Sequence, residues 1–253
     1  MKISIITVSY NSQHVISRCI CSILSQKQPF EYIVIDGNST DDTPYIIKKY
    51  ENYIDKFVSE DDDGIYDAMN KGVQKSTGEI VGFLNSDDFY SDHTIFQKVH
   101  SAFENTGCDA CYGDLVYVDA RYRTIRYWKS GPFKRQKLYW GWMPPHPTFF
   151  VRKSVFERYG GFDSSFGTAA DYELMVRFLV KHEISCVYIP QVLVCMQTGG
   201  ASNVSFKARC EANKNDLAAW EKNGLQPIKF TSFFKPIRKL HQFAAILRSS
   251  SHV

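Results

Sequence analysis

The sequence predicts an α/β chain built on a doubly wound, largely parallel sheet covered by helices. Two patterns point there. Short apolar runs rich in Ile and Val recur at residues 3–8, 32–35, 57–59 and 80–84. The first three are each followed by a polar loop and then a stretch with helical spacing, and strand, loop, helix repeated three times marks such a sheet. Continuous apolar runs bounded by turn residues read as strands buried on both faces. The chain's 253 residues suit one large α/β domain or two small lobes.

Taken in order, residues 13–25 place Val15, Ile16, Cys19, Ile20 and Ile23 at a helical period, with Ser12 as the expected N-cap. The loop from Asp36 to Asp42 is short and polar, and Thr40 or Asp41 is the expected cap of a helix over 44–53. Glu60-Asp61-Asp62-Asp63-Gly64 precedes a helix over 65–75. The run from Ile80 then stops at Asn85-Ser86-Asp87-Asp88. Beyond it the pattern predicts a helix over 94–103, a hairpin of 110–118 and 124–127, and an aromatic, proline-rich loop over 140–147. A strand over 148–151 and a helix over 154–159 follow. A helix over 171–181, a strand over 187–194 broken by Pro190 and a helix over 203–223 complete the reading. No internal repeat or low-complexity linker is present.

Bulk properties narrow the function. A formal net charge of +3 does not point to nucleic acid. The seven cysteines are scattered, and the lone Cys108-Asp109-Ala110-Cys111 has no second pair, so buried free thiols are expected rather than a metal or redox centre. The first residues lack the apolar core of a signal peptide, and no run approaches the roughly 18 apolar residues of a membrane span. A cytoplasmic protein is expected.

Acids cluster where strands end or helices begin: Asp36, the 60–63 run, Asp87-Asp88 and Asp171. In open α/β sheets ligands bind beyond the carboxyl ends of strands. Acids gathered at one sheet edge suit a hard divalent cation, or the hydroxyls and base N–H of a nucleoside. Asp87 and Asp88 read equally as a turn or a helix cap. There is no G-x-G-x-x-G, no P-loop and no G-x-S-x-G element. Phosphates are then expected on a metal, on Arg177 or on the loop 199–202.

These residues carry a resemblance. Thr7-Val8-Ser9-Tyr10-Asn11, Ile35-Asp36-Gly37-Asn38-Ser39-Thr40-Asp41, Gly64-Ile65-Tyr66-Asp67-Ala68-Met69-Asn70-Lys71-Gly72 and Asn85-Ser86-Asp87-Asp88 resemble the ordered motifs of family 2 glycosyltransferases. Pro145-His146-Pro147-Thr148, Tyr159-Gly160-Gly161-Phe162-Asp163 and Asp171-Tyr172-Glu173-Leu174 continue the match. Within the family the chain most resembles enzymes of bacterial O-antigen, capsule and exopolysaccharide assembly.

The resemblance implies a GT-A fold, Rossmann-like with a mixed sheet. A nucleotide-sugar half (1–105) is followed by an acceptor half (106–225), and a tail occupies 226–253. It implies inverting hexose transfer from a UDP-sugar with Mn²⁺ or Mg²⁺. The acceptor is a sugar, expected to be lipid-linked at the cytoplasmic face of the inner membrane. By position, Thr7, Ser9 and Tyr10 border the nucleotide, and Asp36 and Asp62 bond uracil or ribose, with Asp61 and Asp63 competing for the second role. Asn70, Lys71, Asn85 and Ser86 join the donor site. Asp87 binds the metal, and Asp88 supports the metal or touches the donor sugar. Asp171 is the base, and His146 and Trp142 line the acceptor side.

The chain departs from the pattern at Asn85, where Asp is frequent, at Gly37, and at Ala170, which leaves Asp171 as the base candidate with Glu173 two residues on. Two rivals remain at this point: a sugar nucleotidyltransferase, which needs a basic glycine-rich loop after the first strand, and a silent sugar-binding module. From Lys222 onward no Asp or Glu occurs. Phe233, Ile237, Leu240, Ala244 and Leu247 share a helical face, so the tail is expected to contact an anionic membrane or to pack on the domain.

Overall fold

The computed structural model describes residues 1–198 and 215–226. The first half alternates strand and helix. β1 (Ile3–Ser9) leads to α1 (Ile16–Leu24), β2 (Phe30–Asp36) to α2 (Thr43–Lys48), β3 (Lys56–Ser59) to α3 (Ile65–Lys75), and β4 (Ile80–Phe83) follows. β1 pairs in parallel with β2 and β4, and β2 with β3.

The second half is β5 (Asp88–Tyr90), α4 (Ile95–Thr106), β6 (Ala110–Val118), β7 (Thr124–Trp128), α5 (Gln136–Tyr139), β8 (Phe150–Arg152), α6 (Lys153–Tyr159), α7 (Ala170–Val176) and β9 (Cys186–Gln197). A further helix, α8, spans 215–222. All nine strands join one sheet in the order β3-β2-β1-β4-β8-β6-β9-β5, with β7 on β6. β8 runs antiparallel between β4 and β6, which makes the sheet mixed.

Two apolar cores lie on its two faces. Alternate residues of β2 divide between them: Ile33 and Ile35 pack with Ala68 and Met69 of α3, while Tyr32 and Val34 pack with Ile16, Cys19, Ile20 and Ile23 of α1. Covering both faces is what makes the strands continuously apolar.

The structure departs from the sequence reading locally. Asp87-Asp88 do not cap a helix. Asp88 opens β5, which pairs antiparallel with β9; the N-cap position of α4 is Thr94, and Asp92 Oδ1 accepts from the Thr94 N–H at 2.7 Å in the turn before it. β9 runs unbroken past Pro190. The β6–β9 register shifts between Tyr112 and Asp114, and a bulge there tolerates a residue without an N–H. Ser12 does not cap α1. Its hydroxyl meets Ser86 Oγ at 2.7 Å instead. α2 stops at Lys48 and a 3₁₀ turn, Glu51–Tyr53, follows. The loop 199–202, most of the expected helix over 203–223 and the tail beyond 226 lie outside the described residues. Cys108 and Cys111 are buried free thiols.

Candidate active site

Parallel strands deliver their carboxyl ends to one edge, and the first half of the site is built there. Asp36 ends β2 fully buried. Ser9 Oγ (2.9 Å) and Ser39 Oγ (2.6 Å) donate to its Oδ1, and the Ser39 N–H (2.9 Å) and Ser59 Oγ (2.7 Å) to its Oδ2. Asp36 therefore ties the ends of β1, β2 and β3 together, and Ser9 is one of its ligands. A Cβ on Gly37 would stand 2.4 Å from Asp62 Oδ2, so glycine is what lets Asp62 close over this loop. Tyr10 is 64% exposed beside this rim. Thr7 faces inward: it is fully buried, accepts from the Tyr32 hydroxyl at 3.2 Å and touches Cys19 Sγ.

The second group follows β4. Asp88 is 1% exposed, and among the described residues neither carboxylate oxygen meets a donor in hydrogen-bond geometry; Asn85 Oδ1 is likewise shielded and unpartnered there. The Gln197 N–H and the Asn85 side chain lie near Asp88, but burial, then the charge of Asp87, still push its carboxyl well above the ordinary range. Burial also raises Asp87. Buried charges without partners are costly, and oxygens left in this state suit a hard divalent cation. No three His, Cys, Asp or Glu side chains converge as a metal cage among the described residues. Oxygens from a ligand are needed to fill an octahedral shell. Ser86 and Ser12 tie this turn to the end of β1.

The third group comes from the second half of the chain. Asp171 lies in the first turn of α7, and its Oδ1 accepts from the Tyr172 N–H at 2.7 Å. Among the described residues both ring nitrogens of His146 are shielded and unpartnered, as is Trp142 Nε1. Burial pushes the imidazole down to about 4, so it is neutral near pH 7. A chain of aromatic contacts joins the last two groups. Phe83, two residues before Asn85, meets His146 (5.6 Å) and Phe162 (5.3 Å), and Phe162 meets Tyr66 (5.3 Å). Burial, then the charge of Asp171, push the Tyr66 phenol well above its ordinary range.

Several expected ligands are occupied elsewhere. Asn70 grips the backbone of Phe162, donating to its carbonyl and accepting from its N–H, each at 2.8 Å. Lys71 donates to the Asp61 carbonyl at 2.7 Å and pairs with Glu60 and Asp67, so it braces the acidic loop. Arg177 does not offer itself to phosphate. It is paired with Glu173 at 2.9 Å and donates to the carbonyls of Tyr159, Gly160 and Gly161. Glu173, buried under Arg177 and the Asn223 amide, is closed to substrate as a base. The i,i+4 spacing of Glu173 and Arg177 was the sequence signal for this pair.

Comparison with known proteins agrees with this architecture. Residues 4–160 match the family model described as glycosyl transferase family 2. An uncharacterised glycosyltransferase of Mycobacterium tuberculosis is 32% identical over 196 residues, 73% of this chain and 72% of the relative. A PGL/p-HBAD biosynthesis glycosyltransferase of Mycobacterium bovis is 29% identical over 206 residues, 79% and 78% of the two chains. Among solved structures, S. aureus TarS 1–349 in complex with UDP-GlcNAc superposes with a TM-score of 0.71 at 19% identity, over 88% of this chain and 66% of that one. A Pyrobaculum calidifontis mannosyltransferase in complex with GDP-Man and Mn²⁺ gives 0.64 at 16% identity, over 99% and 75%. These likenesses show the GT-A fold, and the chain belongs to glycosyl transferase family 2.

Proposed function

We propose that this glycosyltransferase moves a hexose (glucose, galactose or an N-acetyl derivative) from a UDP-sugar, with inversion, onto a lipid-diphosphate-linked sugar. Its place is bacterial surface polysaccharide assembly at the cytoplasmic membrane face. Residues 1–105 serve the donor, 106–225 the acceptor, and the tail 226–253 is one route to peripheral membrane contact. The observation that carries the reading is the set of unpartnered buried oxygens of Asp88 and Asn85 beside Asp87. UDP-GlcNAc in one neighbour's structure and GDP-Man with Mn²⁺ in another's support a nucleotide sugar with a divalent metal.

Asp87, Asp88 and Asn85 would hold Mn²⁺ or Mg²⁺ together with the donor diphosphate. When bound, the metal offsets the charge that grows on the leaving nucleotide. The rim of Tyr10 and Asp62 takes the nucleoside; Asp36, expected to bond it directly, is buried with both oxygens held by Ser9, Ser39 and Ser59, so it shapes the loop beneath instead. The acceptor hydroxyl attacks the anomeric carbon from the face opposite the diphosphate. The new C–O bond forms as the bond to the β-phosphate oxygen breaks, and the nucleoside diphosphate leaves with that electron pair. Asp171 accepts the hydroxyl proton. His146 and Trp142 wall the acceptor side and keep water out.

The test is a nucleotide-sugar panel with a synthetic lipid-diphosphate GlcNAc acceptor, read by mass spectrometry and repeated with Asp171→Asn. The variant is expected to lose roughly 10²-fold or more in kcat while binding UDP and melting as wild type does. Near-normal turnover in the variant removes Asp171 as base, and no transfer from any UDP-sugar overturns the donor assignment.

A further inference from the structure

We propose that the β6–β7 hairpin is a membrane-contact surface: its basic, aromatic-bearing edge lies on an anionic bilayer and brings the edge of the sheet that carries Asp87 and Asp88 close to it. The proposal rests on the reading of a lipid-linked acceptor and deepens it, by placing membrane contact on the folded domain and not on the tail alone.

Charge singles the hairpin out. From Ala120 to Phe156 the chain has no Asp or Glu and nine Lys and Arg, although its formal net charge is only +3. Four of the nine, Arg121, Arg123, Arg126 and Lys129, fall on the turn, on β7 or directly after it. Asp119, the acid at the base of the turn, is spent inside it. Its Oδ1 accepts from the N–H groups of Arg121 (2.8 Å) and Arg123 (3.0 Å), and its Oδ2 from Arg123 Nε (2.8 Å). Among the described residues neither Arg121 nor Lys129 enters an ion pair. Residues 120–125 are all exposed, and Tyr122 (47%) and Ile125 (38%) put apolar surface between the cations. β7 has β6 as its one strand partner among the described residues, which leaves its outer edge unpaired.

The hairpin stands beside the candidate site. β4 and β6 are both antiparallel to β8, so they run the same way, and the turn after β6 lies toward the edge where β4 delivers Asp87 and Asp88. It is fastened there. Phe89, next to Asp88, meets the Tyr122 ring at 6.0 Å. The Arg18 guanidinium of α1 lies 3.2 Å from the Tyr122 centroid and 5.1 Å from that of Phe89. Tyr122 holds a left-handed φ of 62°, a conformation that a bulky residue keeps only where its surroundings impose it. Its N–H donates to the Asp119 carbonyl at 2.8 Å. The tip is therefore a built turn that keeps its cations in solvent, with the Arg123 side chain 70% exposed.

This composition fits a bilayer surface. Anionic headgroups attract Lys and Arg that come within a Debye length. Tyr rings favour the headgroup level, and an exposed isoleucine offers apolar area to the acyl boundary. With the hairpin on the surface, the site at the same sheet edge lies close to the plane that holds a lipid-linked sugar.

Co-sedimentation of the full chain with vesicles tests this, using phosphatidylcholine alone and an equal mixture with phosphatidylglycerol. Wild type is expected to bind only the anionic vesicles, and less well as salt is raised. Arg121→Gln with Lys129→Gln is expected to lower that partition roughly 25-fold, about fivefold for each charge, with the melting temperature unchanged. Ile125→Ser is expected to add a smaller loss that salt does not alter. Turnover on an acceptor carried in the anionic vesicles should fall with binding, while turnover on a short-chain, water-soluble acceptor stays at the wild-type rate. Equal partition of wild type and the double variant overturns the hairpin's role and leaves the transfer reaction standing. A parallel fall on the soluble acceptor assigns the two residues to acceptor recognition and overturns the surface as well. Binding is read without turnover, so failure of the donor panel is told apart from failure of the surface.

Discussion

Glu31 and Asp88 are both buried carboxylates of one sheet, 2% and 1% exposed, and they are treated in opposite ways. Glu31 sits near the start of β2. Ser4 Oγ, the Thr77 N–H and hydroxyl, and Lys56 all donate to it, with Lys2 at 3.7 Å. Burial alone would raise its carboxyl, but these donors outweigh burial and hold it at about 2. Asp88 lies beyond the opposite, carboxyl end of β4 with no partner for either oxygen, and its carboxyl is pushed far up. The difference separates structure from function. A buried charge that the fold needs comes with its donors built in. A buried charge left bare, at the edge where ligands bind, is kept for a partner from outside.

Neutralising each acid breaks the comparison in opposite directions. Glu31→Gln is expected to destabilise by about 1–3 kcal/mol near pH 7, the cost of leaving buried partners mismatched, which is a fall of about 2–4 °C for each kcal/mol. Because the folded carboxyl lies below its ordinary 4.5, its stabilisation is complete above that pH and is lost as pH falls toward about 2. The gap between wild type and variant should therefore close over that window, as followed by urea unfolding at stepped pH. Asp88→Asn should act the other way and more weakly. In chelator-treated protein the variant is expected to melt about 2–4 °C higher, since a neutral amide removes the cost of ionising a carboxyl buried with too few donors, about 1 kcal/mol. Scanning calorimetry of the two variants side by side measures the contrast. A loss of stability in Asp88→Asn would mean that the carboxylate is structural after all.

The sequence showed the first half of this fold more clearly than the second, for a physical reason. β1, β2 and β4 are buried on both faces and the first strands alternate with amphipathic helices, so period and turn chemistry mark them. β5 is three residues long and is placed by pairing with the distant β9 and by packing on α1, and no local pattern records that. Pro190 argued for a break that a bulge removed. The motif acids were visible because they stand at strand ends, and Asp36 proved to be the hub of three of them. The hold on the segment 159–162 was not visible: Asn70 and Arg177 looked like polar ligands, and only the fold reveals that the backbone of this segment takes their hydrogen bonds.

The central claim is that the bare oxygens of Asp88 and Asn85, with Asp87, are reserved for a metal-bound nucleotide. It is tested most directly by titrating UDP into the chelated full chain by isothermal calorimetry, with and without added Mn²⁺, and repeating both titrations with Asp87→Ala. UDP is expected to bind wild type at least ten times more tightly with Mn²⁺, a difference of about 1.4 kcal/mol, and the variant should lose that dependence while melting within a few degrees of wild type. Equal UDP affinity with and without Mn²⁺ in wild type, or a Mn²⁺ effect that survives Asp87→Ala, would contradict it.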